Sequence, residues 1–377
     1  MLNTNIENFV TPFILKRSNL TLVIGVIDGD DRLIRGFGQL SESSINSPDG
    51  NTLFEIGSIS KVFTSTLLSI LVNHQELELT APINRLMKDY QQLPDDITLL
   101  SLATHTSGLP RVPSNLMKSV QQDRQNPYAA YTLKELNEYL QSYDSKQRKT
   151  EGTISYSNLG FGLLGHILAQ HLGLSYEDAI VRHICEPLGL SDTCVTLTEE
   201  QKSRLAISRS GNGKPVKNWD LPTLAGAGAL RSTANDLLKF LAENLQPSYP
   251  PFAQSIAATH TLRCETFASL AGVPKFLSRV GVFKLIEQLF GEPPVRRELK
   301  GIALGWFVTY LPSVNQQVYC HNGGTGGYRS FCGFIKETST GVVVLSNYGA
   351  GLWSRLSQYS VDTIGLQILE SMNSNTL

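Results

Sequence analysis

Ser58 and Lys61 form the only Ser-x-x-Lys of the chain, inside Phe54-Glu55-Ile56-Gly57-Ser58-Ile59-Ser60-Lys61-Val62-Phe63. A serine hydroxyl is a poor nucleophile at its free pKa. An amine one helical turn away, desolvated so that it is partly neutral, can take its proton. The run Val62, Phe63, Leu67, Leu68, Leu71 predicts a buried helix ending near His74. Ser58 then sits at or just inside its N-terminus, with Lys61 on the same face. The unpaired N–H groups of a first turn also favour a developing oxyanion. An N-cap serine and a solvated first-turn lysine would look the same, so the motif needs partners.

Two stretches offer them. Tyr156-Ser157-Asn158 is the only Tyr-x-Asn. A phenol near a lysine ammonium is expected to have a lowered pKa and to shuttle a proton. Asn158 can orient Lys61 and bind a substrate amide. His321-Asn322-Gly323-Gly324-Thr325-Gly326-Gly327 lies between two predicted strands, and its glycines let a ligand backbone approach closely. A buried tyrosine with a bonded hydroxyl and a plain hairpin turn are the competing readings. His105, in Thr104-His105-Thr106-Ser107-Gly108-Leu109-Pro110, is expected to hold a loop through a hydrogen bond.

The positioning elements follow from periodicity. Residues 5–17 are helical in spacing. Leu20–Ile27 and Leu33–Leu40 read as a hairpin around Asp28-Gly29-Asp30-Asp31. Thr132 is an expected N-cap, and Tyr156-Ser157-Asn158 leads into a helix striped with Leu163, Leu164, Ile167 and Leu168. Ala225–Leu238 reads as a small-residue strand turning into a helix capped at Ser232 or Thr233. Phe276–Phe290 carries a helical stripe. Leu304–Tyr310, Gln317–His321, Tyr328–Ile335 and Gly341–Ser346 are expected antiparallel strands, followed by a helix around Leu352–Met372. Strands at both ends and helices between them predict an α+β fold in which one antiparallel sheet is built from both termini. Residues 1–377 are expected to form one domain. Its sheet part would be about 1–55 and 300–377, and its mainly helical inserted region about 56–299.

The bulk properties narrow the classes. The chain has 377 residues, 41% hydrophobic and 17% charged, with a net charge of -1. No global field attracts nucleic acid, and no apolar run is long enough to span a bilayer. The start, Met1-Leu2-Asn3-Thr4-Asn5, lacks a basic stretch followed by an apolar one. The expected compartment is therefore cytoplasmic as written, or periplasmic or secreted if the native start lies upstream or a signal was removed. Five cysteines without Cys-x-x-Cys and seven histidines without metal spacing predict no metal site. Cys320 and Cys332 could meet across a hairpin, but reduced core thiols are the expectation.

The order and spacing of the three motifs resemble the serine β-lactamase and penicillin-binding protein superfamily, in the branch of class C β-lactamases, D,D-carboxypeptidases and related esterases. The resemblance covers roughly residues 8–370. It implies a β-lactamase/transpeptidase-like fold, Ser58 as the acylated nucleophile, and Lys61 and Tyr156 sharing base and acid work, with the one that deprotonates Ser58 left open. It implies Asn158, His321, Asn322 and Gly323 as substrate-binding residues, an oxyanion hole of the Ser58 and Gly324 N–H groups, and water activated by Tyr156 for deacylation. No cofactor is implied. The substrate would be a small peptide, β-lactam or ester. The departure is His321-Asn322-Gly323 where the family has Lys-Thr-Gly. Histidine is only partly charged near neutral pH, which puts efficient cephalosporin hydrolysis in doubt. Arg329 could replace the charge, although a structural arginine is the expectation. The rival readings are an esterase, acyl transferase or peptide cyclase on the same fold, and a non-catalytic penicillin-binding-like scaffold.

Overall fold

A computed structural model describes residues 6–40, 47–145, 148, 153–265, 295–349 and 360–374. The chain enters through helix α1 (Ile6–Ile14) and forms a hairpin of β1 (Thr21–Asp28) and β2 (Asp31–Gly38). Asp28 pairs with Asp31, so the expected four-residue turn tightens to Gly29-Asp30. A two-residue strand β3 (Phe54–Glu55) then leads through a single 3-10 turn, Gly57–Ile59, into α2 (Ser60–Asn73). The inserted region includes α3 (Asn158–His171), β4 (Arg231–Ser232), which pairs with β3, α4 (Ala234–Leu245) and α5 (Pro250–Thr259). The chain returns as β5 (Cys264–Glu265), β6 (Glu298–Ile302), β7 (Phe307–Leu311), β8 (Gln316–Gly324), β9 (Arg329–Ile335) and β10 (Thr340–Ser346), and α6 (Val361–Asn373) follows.

Eight strands make one antiparallel sheet in the order β2-β1-β10-β9-β8-β7-β6-β5. The join between the two ends of the chain is the β1–β10 ladder, Leu22 opposite Ser346 through Asp28 opposite Thr340. The expected α+β fold is therefore the observed one. Strand alternation divides the apolar residues between two cores. Val23, Ile27, Cys332, Phe334, Val343 and Leu345 face the inserted helices. Leu22, Ile24, Val26, Phe331, Val342 and Val344 face α1 and α6. Because both faces are covered, β1 and β10 read as unbroken apolar runs.

Two expectations change. Ala225–Gly228 is a helical turn rather than a strand, and only Arg231–Ser232 is extended. The Thr233 cap on α4 is as expected, with its hydroxyl accepting the Asp236 N–H. The strand expected from Leu304 begins at Phe307, because Gly305 turns the backbone at φ +74°. The stripe Phe276–Phe290 lies outside the described residues, as does 350–359 before α6. Cys320 pairs opposite Gly333 and Cys332 opposite His321, so their thiols point to opposite faces, and all five cysteines are free.

Candidate active site

Gly57 adopts φ +51°, a left-handed turn that a side chain resists, and it swings the chain from β3 into α2. Nearly all of α2 is buried, from Ser60 to Leu71. Lys61 therefore has no water to turn to, and it is 0% exposed. Its Nζ makes three contacts: Ala227 O at 2.6 Å, Asn158 Oδ1 at 2.9 Å and Ser58 Oγ at 3.2 Å. Burial drives its pKa well below the usual lysine range, and the Arg111 guanidinium adds to the shift. A desolvated ammonium loses its proton more readily because the charged form is the one that burial penalises. Ser60 takes no part, since its hydroxyl accepts the Leu230 N–H at 3.0 Å.

Tyr156 and Asn158 reach this group from the start of α3. The Ser157 side chain caps the helix, accepting Gly160 N–H at 2.9 Å. His105 holds the loop, as expected: its Nδ1 accepts the Ser157 N–H at 3.0 Å, and its carbonyl accepts the Ser155 N–H at 2.8 Å. The imidazole lies 4.3 Å from the Tyr156 ring, centre to centre. The expected lowering of the Tyr156 pKa is not what the site produces. Packing pushes it up to about 12, against smaller opposing effects of a hydrogen bond to Ser58 and of Arg111. Burial of the phenol sets this direction, and Lys61, 4.8 Å from the centre of the ring, does not offset it. Asn158 accepts from Lys61, and its side chain also hydrogen-bonds Tyr128.

Strand β8 closes the other side. Ser330 of β9 donates to Ile56 O at 2.8 Å, and a β-carbon at Gly323 would lie 1.9 Å from that same oxygen. The Gly324 amide lies directly against Gly57, which brings it beside the start of the Ser58 turn. His321 is 2% exposed, packed by Phe307 and Tyr156. Its Nδ1 lies 2.6 Å from the Asn322 carbonyl and so carries the proton that it donates. The expected partial charge is absent: burial, with Lys61 nearby, pushes the His321 pKa down to about 3. Asn322 does not join the group. Alternation sends it to the opposite face of β8, where its amide donates to Asp362 Oδ2 at 2.6 Å. Arg329 is half-buried against Gly324 on that same side, near Asp362.

The structure thus brings together Ser58, Lys61, Tyr156, Asn158, His321, Gly323 and Gly324. It adds residues that sequence reasoning passed over: the Ala227 carbonyl, Tyr128, Phe307 and Arg111, whose guanidinium lies 5.0 Å from the Tyr156 ring centre. Arg111 directly follows the flagged Gly108-Leu109-Pro110 segment, which was the available signal for it. A backbone carbonyl leaves no mark in a sequence. Among the described residues no group of three or more His, Cys, Asp or Glu side chains could hold a metal, and no helix is long and apolar enough to cross a membrane.

The chain is similar to known proteins over most of its length. A beta-lactamase from Pseudomonas fluorescens is 28% identical over 359 residues, spanning 91% of this chain and 92% of its own. The D-alanyl-D-alanine-carboxypeptidase/endopeptidase AmpH of Escherichia coli K12 is 25% identical, spanning 86% of this chain and 78% of its own. The crystal structure of a class C beta lactamase from Rhodobacter sphaeroides superposes with a TM-score of 0.74 at 25% identity, covering 97% of this chain and 99% of that one. A beta-lactamase family model matches residues 3–359, and the chain belongs to the beta-lactamase family.

Proposed function

We propose that this serine hydrolase acylates Ser58 with a D-alanyl peptide or β-lactam amide and releases the acyl group to water. The observation that carries the reading is Lys61. As a neutral amine it has two N–H bonds and one lone pair. The two shorter contacts, to Ala227 O and Asn158 Oδ1, take the N–H bonds. The lone pair is left for the Ser58 hydroxyl at 3.2 Å.

The steps follow from that assignment. Lys61 takes the Ser58 proton as Oγ attacks the carbonyl carbon. The N–H groups of Ser58 and Gly324 hold the oxyanion, each such donor being worth about 3–4 kcal/mol in the transition state. Tyr156, protonated at working pH, gives its proton to the leaving nitrogen and is reprotonated from the Lys61 ammonium. Water then attacks the ester, with its proton passing back through the same pair. Asn158 fixes Lys61, and His105 fixes the Tyr156 loop.

A second reading, an esterase or acyl transferase on the same machinery, is favoured by one observation: His321 is neutral where the family has lysine. Intact-mass spectrometry after incubation with β-lactams, D-Ala-D-Ala peptides and short-chain esters decides between them. Adducts from the first two classes that map to Ser58 and vanish in Ser58→Ala are expected. Adducts from esters alone would favour the second reading. Adducts that persist in Ser58→Ala would remove Ser58 from the nucleophile's role.

A further inference from the structure

A carboxylate-bearing substrate is held best by a fixed cation at the mouth of the site, and the β8 position that would supply one holds a buried neutral imidazole. The guanidinium that faces the reacting groups is Arg111. Its carbonyl accepts the N–H groups of Asn158 at 2.8 Å and Leu159 at 3.2 Å, which pins residue 111 to the first turn of α3. Its side chain is exposed, reaches to 5.0 Å from the Tyr156 ring centre, and has no carboxylate partner among the described residues. Its charge is felt throughout the site, lowering the pKa values of Lys61, His105, Tyr128 and Tyr156 against or along with their burial.

Other cations are committed elsewhere. Arg231 lies between Glu55 and Asp220, and Lys217 pairs with Asp123 at 2.7 Å. The Asp220 carboxylate accepts from Asn126 at 2.9 Å and from Arg231 at 3.2 Å.

We propose that Arg111 is the specificity-determining cation of the site, gripping the carboxylate of an anionic substrate while Ser58 is acylated. The proposal rests on the acyl-enzyme reading above. A guanidinium presents a rigid fork that matches a carboxylate with two parallel N–H bonds, which an imidazole cannot do. At an exposed rim its effect falls mainly on encounter and KM rather than on kcat.

The test uses two matched pairs of probes. One is p-nitrophenyl hydrogen succinate against p-nitrophenyl butyrate, with the charge on the acyl side. The other is nitrocefin against its methyl ester, with the charge on the leaving side. In Arg111→Gln the anionic-over-neutral ratio of kcat/KM is expected to fall about fivefold or more for at least one pair, through KM, with part of it restored in Arg111→Lys. A smaller change in both pairs overturns the proposal. Should the variants not fold, the unmodified enzyme answers the question. Raising salt from about 0.05 to 0.5 M must erode its preference for the anionic partner, and a preference indifferent to salt overturns the proposal. Absence of any Ser58 adduct in the unmodified enzyme would instead bring down the acyl-enzyme reading itself.

Discussion

Gly57 and Gly324 touch: a β-carbon built on Gly57 would lie 2.6 Å from the Gly324 amide nitrogen. One glycine starts the 3-10 turn that carries Ser58 and leads into α2, which carries Lys61. The other ends the strand that carries His321. Their contact sets the Gly324 amide beside the residue that precedes Ser58, which is what the proposed oxyanion hole of the Ser58 and Gly324 N–H groups requires, and no side chain fits between the two glycines.

Gly57→Ala should therefore strike activity harder than stability. An alanine in the left-handed region costs about 1–2 kcal/mol, and its methyl must displace the end of β8. The Ser58 acylation rate, followed with nitrocefin, is expected to fall at least about tenfold, with a thermal midpoint only a few degrees lower. An unchanged acylation rate in a folded variant would show that the contact has no part in the oxyanion hole.

Lys61 should set the acidic limb of the pH–rate profile. Its pKa lies well below the ordinary lysine value because of burial, so the neutral amine persists to lower pH than a free lysine allows. kcat/KM is expected to drop as pH falls through that lowered pKa, with no separate limb from Tyr156, whose pKa is about 12. Lys61→Arg, which cannot shed its proton, should abolish acylation. Near-normal acylation in that variant would rule out the amine as the base.

His321 makes a prediction about acid stability. Its pKa is about 3 when folded and about 6.5 when unfolded. Between those values the unfolded chain binds the extra proton, so stability is intact above about pH 6.5 and is lost as pH falls toward 3, by roughly 1.4 kcal/mol per unit. His260, also lowered to about 3, adds to this, whereas Glu55, raised to about 7, tilts the opposite way between its unfolded and folded values. Comparing denaturant unfolding of wild type and His321→Asn from pH 7 to 4 isolates the His321 share. Parallel curves would mean that the imidazole is charged or solvated in the folded protein.

His105 should separate positioning from chemistry. Its ring accepts a buried N–H from the residue next to Tyr156, and its own backbone sits at φ +59°. His105→Ala leaves that N–H unpaired, at a cost of about 1–3 kcal/mol. His105→Asn keeps an acceptor and tolerates the left-handed backbone. Asparagine is expected to recover most of the acylation rate that alanine loses. Equal losses in the two variants would show that the hydrogen bond is not what the loop needs.

The proximity of Ser58, Lys61 and Tyr156, the proposed catalytic trio, was legible because each residue type carries its chemistry wherever it lies, and because the helix period places Lys61 one turn from Ser58. The sheet was legible because its strands are short, apolar and bounded by turns. The protonation states were not. They depend on how completely the Lys61 amine and the His321 ring are buried, and burial is fixed by elements far away in the chain. Asn322 was assigned to the site by the family resemblance, yet strand alternation turned it to the far face. Short strands such as β5 and β6 escaped because they pair at the sheet edge with little apolar patterning of their own.

The β1–β10 ladder has a consequence for biosynthesis. A ribosome exposes the Ser58 segment early but must translate past residue 324 before the proposed second oxyanion donor exists, and past residue 346 before the sheet can close. Nascent or truncated chains thus carry the proposed nucleophile without the strands that would complete its pocket. Folding has to wait for contacts between the two ends, which makes it slow compared with proteins built from local contacts.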